Sequence, residues 1–273
     1  MVGAGTTSGG AQMRPAVEGG RAIRRRRRRA RGETGGRGLV VATYNIHSCV
    51  GVDRRYAPDR VAAVLRELGA DIIGLQEVDV RRRRSGDLDQ RGYFADATGL
   101  AVVPGPHSGD HRGRFGNALL TRFPVRSVRH IDLSVAGYEP RGAIDVELAV
   151  DGRTLRVVVT HLGLRARERR RQIHRLLEAL AAAPGAEEAL LVMGDLNEWR
   201  GRRGGILVLD KRLGHAPARR TFPSWLPVLA LDRIYAAGAA SLRAVAVHRS
   251  VLARLASDHL PLRAAVEWPP DRH

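Results

Sequence analysis

The sequence predicts an α/β fold in which parallel and antiparallel strands mix, and three observations predict it. Apolar, β-branched runs flank an amphipathic helical stretch between residues 39 and 77, the pattern of a βαβ unit. Asp151-Gly152 then joins two strongly apolar, alternating runs, as expected of a tight hairpin. After residue 186 the apolar runs continue, with fewer helical stretches between them.

LVVATYN, from Leu39, reads as a buried strand that ends near Asn45. A helix follows: Pro58 stands at its start, Val61, Val64, Leu65 and Leu68 recur on one face, and Gly69 closes it. DIIGLQE is the second buried strand, ending at Glu77, and GNALL from Gly116 suggests another. AIDVELAV and RTLRVVVT form the hairpin arms, with Ile144, Val146, Leu148 and Val150 on one face. Beyond His161 an Arg-rich helix carries the stripe Ile173, Leu176, Leu177 and Leu180 and stops at Pro184-Gly185. ALLVM, LDRIYAA, a run around Leu242 to Val247, and LRAAVEW after Pro261 complete the strands.

Residues 1 to 38 are Gly-, Arg- and Thr-rich without apolar periodicity, so they are expected to form a disordered tail ahead of a catalytic-sized domain spanning 39–268. Ten arginines against two glutamates give the tail +8 and leave +10 of the formal +18 on the body. Such a field attracts polyanions without telling nucleic acid from anionic lipid or phosphorylated metabolites. Coding bias offers an equal account, because Lys211 is the only lysine among 46 basic residues. The single cysteine, Cys49, excludes an internal disulfide and a cysteine zinc cluster, there is no apolar run of membrane-spanning length, and no apolar stretch follows the arginines as in a secretory signal. A cytoplasmic, monomeric protein is the expectation.

One regularity recurs along the chain: apolar strands stop at residues with metal or phosphate chemistry. Asn45, Glu77, His161, and Asp195 with Asn197 all stand at such ends, and Asp232 and the pair Asp258-His259 extend the series. Strand ends of this kind are where ligands bind, because the buried strand fixes geometry while the loop beyond stays accessible. A lone Gly-Asp or Asn is more often a turn residue, so the series carries the argument and no single member does.

The succession TYNIH, LQEVD, GNALLTR, RGAI, VVVTHLG, GDLNEW, LDRIY and SDHLPL, in that order from residue 41 to 262, resembles the endonuclease/exonuclease/phosphatase superfamily. The resemblance implies a four-layered α/β/β/α sandwich of two mostly antiparallel sheets flanked by helices. It also implies a divalent-metal-dependent phosphodiesterase that uses an activated water. Glu77 resembles the metal carboxylate, with Asn45 beside it and Asp258 near a second metal position. Oxygen donors without cysteine favour Mg2+ or Mn2+. By the same resemblance Asp195 activates the water, Asn197 donates to a phosphate oxygen, and His259, held by Asp232, contacts the phosphate or shuttles a proton. His161 resembles a second histidine and Arg141 a basic phosphate contact. The glutamate that partners that histidine in the deoxyribonuclease branch has no counterpart around Phe115 to Asn117.

The implied substrate is a phosphodiester of nucleic acid or phospholipid, or a soluble phosphoester. A catalytically silent polyanion-binding protein is the alternative, opposed by the near-complete site set. His107, Asp110 and His111 have metal-like spacing, but a Gly-rich loop makes them solvated residues. Trp199 and Trp225 are equally compatible with a substrate cleft and with packing. Walker A, G-x-S-x-G and H-E-x-x-H motifs are absent.

Overall fold

The computed structural model describes residues 38–79, 88–108, 115–182, 189–199 and 204–268. The Arg-rich tail through residue 37, Asp110, His111 and the Pro184-Gly185 stop lie outside the described residues.

Strands β1 (Leu39–Asn45) and β2 (Ile72–Asp79) pair in parallel, with helix α1 (Pro58–Leu68) as the crossover between them. Gly69 ends α1 in the left-handed conformation, the expected stop. After α2 (Gln90–Thr98) come β3 (Ala101–Ser108) and β4 (Phe115–Thr121), β4 pairing antiparallel with β2 and β3 antiparallel with β4 at the edge of that sheet. Strands β5 (Val125–Asp132), β6 (Gly142–Val150), β7 (Arg153–His161) and, beyond helix α3 (Ala166–Ala181), β8 (Ala189–Asp195) build a second sheet. Helix α4 (Gly205–Leu213) leads to β9 (Asp232–Ala237), which closes that sheet's edge. β10 (Ser241–Val247), α5 (Val251–Ala256) and β11 (Leu262–Glu267) return the chain to the first sheet beside β1. The orders are β10-β11-β1-β2-β4-β3 and β5-β6-β7-β8-β9. Among the described residues, only β1–β2 and β7–β8 pair in parallel.

Strand alternation makes three apolar layers. Val41, Ile72, Leu119 and Leu262 from the first sheet meet Ile144, Val146, Leu148, Val159, Leu191 and Met193 from the second. On the outer face of the first sheet, Tyr44, Ile73 and Leu75 pack on Val61, Leu65 and Leu68 of α1 and Phe94 of α2. On the outer face of the second, Val158, Leu190, Val192 and Tyr235 pack on Ile173, Leu176 and Leu180 of α3 and Leu209 of α4. Leu190 and Leu191 therefore face opposite layers, as period-two geometry requires. The result is a four-layered α/β/β/α sandwich, and no helix among the described residues is long and apolar enough to cross a membrane.

The hairpin forms as expected: Asp151 and Gly152 both take positive φ, 48° and 84°, as a type I′ turn demands. Five elements, α4 (Gly205–Leu213) among them, go unread in the sequence. β5 is exposed along most of its length and lacks an apolar face, β3 carries Pro104 and Pro106, α2 opens with no apolar stripe, and α5 has only six residues.

Gly194 shows what the packing demands of β8. It pairs with Thr160 of β7 and adopts φ 149°, where a Cβ would lie 1.8 Å from the Thr160 carbonyl oxygen. Backbone has to move to admit any side chain there. Gly194→Ala is expected to destabilise the protein by about 2–4 kcal/mol, measured by denaturant unfolding. A midpoint unchanged from the parent protein would refute the close approach.

Candidate active site

Pairing register brings together residues that are far apart in sequence. His161 is opposite Asp195 across β7–β8, and Asp195 is opposite Asp232 across β8–β9. On the other sheet Asn45 pairs with Gln76, which puts Glu77 one residue further along at a bulge in β2. Glu77 adopts φ 57° there, a conformation that bulged strands use to re-aim a side chain. The two sheets meet at these ends.

Asp195 is the common neighbour. Its Oδ2 accepts from Asn45 Nδ2 at 3.1 Å, its Oδ1 accepts from the Asn197 backbone N–H at 2.9 Å, and the carboxylate is buried. His161 Nε2 lies 3.5 Å and His259 Nε2 3.6 Å from Oδ2. Asn45 Nδ2 also donates to Glu77 Oε1 at 3.0 Å, while the His47 N–H fixes Asn45 Oδ1 at 3.1 Å. The amide of Asn45 thus bridges two carboxylates, one from each sheet. The turn before β11 is tied to the same place, because Ser257 Oγ donates to the Asn45 carbonyl at 2.8 Å and receives the His259 N–H at 3.2 Å.

His259 Nδ1 is 3.0 Å from Asp232 Oδ2, and Thr221 Oγ1 donates to that same oxygen at 2.5 Å. Asp232 is fully buried. Burial works against the charged imidazolium, but the carboxylates of Asp232 and Asp195, with Asp258 further off, outweigh it and push His259 up to about 10. His161 goes the other way. Burial, reinforced by Arg141 and His259, overcomes Asp195 and lowers it to about 3. The two histidines that approach the same oxygen of Asp195 are therefore pushed in opposite directions.

Asn197 sits in the left-handed region, φ 52°, and its Nδ2 donates to the Leu162 carbonyl at 2.9 Å and lies 3.0 Å from His161 Nε2. Its amide donors are engaged within the protein, so donation to a phosphate requires exchange of the His161 contact. Arg141 is buried with Nη2 3.0 Å from Glu139 Oε2, close enough for its charge to act on His161. Asp258 is partly exposed, its Oδ1 3.7 Å from His47 Nδ1.

Glu77 and Asp258, the carboxylates expected to hold a divalent cation, are both partly exposed and offer oxygen donors of the kind such a cation takes, and Glu77 is tied to the Asn45 amide. Asp195, Asp232 and His259 also bring ligand atoms within 4.8 Å of one another. Within that group the nitrogen of His259 that faces Asp232 is engaged by it at 3.0 Å, and Nε2 faces Asp195. Thr221, Ser257 and His47 went unassigned in the sequence. A Thr two residues before Pro223 and a Ser before Asp258 carry no signal of their own, since their contacts span 11 and 212 positions.

The chain matches the model of the Endonuclease/Exonuclease/phosphatase family over residues 42–259. It is 31% identical over 242 residues to the uncharacterized protein YbhP of Escherichia coli K12, covering 83% of this chain and 95% of that one. Among solved structures it is similar to an endonuclease/exonuclease/phosphatase from Beutenbergia cavernae, at 22% identity and TM-score 0.70, covering 85% of this chain and 72% of the other. A mannosyl-6-phosphatase of Bacteroides thetaiotaomicron is similar at 17% identity and TM-score 0.66, covering 84% and 99%.

The two histidines predict opposing pH limbs for stability. The unfolded chain binds a proton at His161 more tightly than the folded one, so stability falls as pH drops from about 6.5 toward about 3. The folded chain binds the His259 proton more tightly, so that contribution is full below about 6.5 and is lost as pH rises toward about 10. Melting temperatures of chelator-treated protein are expected to peak near pH 6.5, with His161→Asn flattening the acid limb and His259→Asn the alkaline limb. Unaltered limbs in both variants would contradict the assignment.

Proposed function

The chain belongs to the endonuclease/exonuclease/phosphatase family, and from that premise we propose that it is a divalent-metal-dependent phosphodiester hydrolase in which water attacks phosphorus. The observation that carries this reading is the convergence of His161 and His259 on one buried carboxylate, Asp195, at the meeting edge of both sheets, where their neighbours push the two rings in opposite directions. Such a pairing of titratable groups with opposite tendencies is what acid–base catalysis at neutral pH requires.

In this reading Asp195 orients the attacking water and accepts its proton as the new P–O bond forms. His259, protonated and oriented by Asp232 and Thr221, binds the phosphate and gives its proton to the departing oxygen as the old P–O bond breaks. Neutral His161 and Asn197 line the phosphate position, and Arg141 adds positive charge behind it. Glu77 and Asp258, with Asn45 beside Glu77, would hold Mg2+ or Mn2+, which when bound supplies charge neutralisation for the phosphate. Substrates include nucleic acid and phospholipid diesters, since one fold with one catalytic set serves several substrates. A fold neighbour that is a mannosyl-6-phosphatase is in keeping with phosphoester chemistry.

Asp195→Ala and His259→Ala should each lower kcat on bis-p-nitrophenyl phosphate with Mg2+ or Mn2+ by roughly 100-fold or more, without loss of the folded circular dichroism spectrum. Glu77→Gln should raise the Mg2+ concentration needed for half-maximal rate by about tenfold or more. Parental rates in both alanine variants would reject the hydrolase reading.

A further inference from the structure

The loop between α4 and β9 carries an apolar tip that the catalytic reading does not use. Residues 221–231 fold into a narrow hairpin: Phe222 and Leu229 bridge, the Val228 N–H donates to the Phe222 carbonyl at 2.9 Å, and the Leu226 N–H donates to the Pro223 carbonyl at 3.1 Å. The hairpin is pinned against the active site, because the Ser224 N–H donates to the Asp258 carbonyl at 2.7 Å and the Phe222 ring packs against His259, tilted by 50°, at 4.9 Å between centroids. Its tip points outward. Trp225 is 63% exposed, Leu226 56% and Val228 52%, and nothing among the described residues covers them.

The apolar surface continues across the mouth of the site. Phe222 meets Trp199, 48% exposed, edge-on at 5.9 Å, and Leu164, 62% exposed, follows the catalytic His161 by three residues. The loops bearing Trp199 and Leu164 are stitched together by Arg169 Nη2 to Glu198 Oε1 at 3.2 Å and by Arg169 Nη1 to the Leu164 carbonyl at 2.7 Å. Cations border this surface: exposed Arg165 and Arg167 follow Leu164, exposed Arg220 precedes the hairpin, and Arg254 Nη1 lies 3.4 Å from the Ser224 carbonyl behind the tip.

Large exposed apolar side chains in rigid loops around a polar site mark a contact surface. Tryptophan with aliphatic neighbours, bordered by arginine, suits the boundary between lipid headgroups and acyl chains. A nucleic-acid platform needs aromatic faces in succession for stacking, and the tip offers leucine, proline and valine in three of its four positions from 225 to 228. From this we propose that the Trp199, Leu164 and Trp225–Val228 surface docks on an anionic phospholipid bilayer, so that the hydrolysed ester is a lipid headgroup presented at the membrane. This rests on the hydrolase reading for its site, but docking itself is independent of turnover.

The test is cosedimentation of the full chain with vesicles of phosphatidylcholine and phosphatidylglycerol in equal parts. It is run in chelator at salt high enough to screen the arginines, with a single-stranded oligonucleotide as the competing probe. The parent protein and Asp195→Ala are both expected to bind vesicles, and Trp225→Ala with Leu226→Ala should lower the partition coefficient about tenfold or more, while Trp225→Phe keeps most of it. Thermal melting verifies that each variant is folded. Equal vesicle binding by the parent and the double variant, no vesicle binding by the parent, or loss of oligonucleotide but not vesicle binding in the double variant would each overturn the proposal. None of these outcomes bears on hydrolysis of the soluble ester, which tests the hydrolase reading separately.

Discussion

A carboxylate buried between two sheets is costly unless its oxygens find donors, and Asp195 is where this protein meets that constraint. The donors come from places that only the completed sandwich brings together: Asn45 at the end of a first-sheet strand, and the backbone of Asn197 two residues ahead. Asn45 then hands its second amide hydrogen to Glu77, so the position of one carboxylate depends on the other. The close approach of Gly194 to Thr160 belongs to the same arrangement, since it sets where the strand delivers Asp195.

From that carboxylate the electrostatics divide the site. His259 has two carboxylates within reach, one of them fully buried and itself hydrogen-bonded by Thr221, so attraction outweighs the loss of solvation. His161 faces the same Asp195 but shares its surroundings with Arg141 and with the charged His259, so burial prevails. The difference lies in neighbours contributed by other strands, and residue type alone does not encode it. It favours the charged form of one ring and the neutral form of the other, both against the same oxygen of Asp195, at the edge where the apolar hairpin also emerges.

The elements that could be read from the chain share a physical property: each has a strong local signal. β1, β2, β7 and β8 are continuous apolar runs, α1 has its stripe with proline and glycine at its ends, and Asp151-Gly152 is a turn with backbone requirements of its own. β5 and α5 take their structure from neighbours, through pairing with β6 and packing on the first sheet, so their sequences carry little periodicity. The same division runs through the site. Asn45, Glu77, His161, Asp195, Asn197, Asp232 and His259 were legible because apolar strands stop at them. Thr221, Ser257 and His47 were not, because a hydroxyl or a ring near a turn has many ordinary uses.

By itself the sequence determined which strands are buried, where they end, and which polar side chains stand at those ends, because hydrophobic periodicity and turn chemistry are local properties of the chain. Only the tertiary structure decided that those ends converge on Asp195, which histidine is pushed toward its charged form, and that Trp225 and Leu226 face outward on the hairpin whose Phe222 packs on His259. Strand register, burial and the distances between charges are set by contacts among residues tens to hundreds of positions apart, and no local pattern carries them.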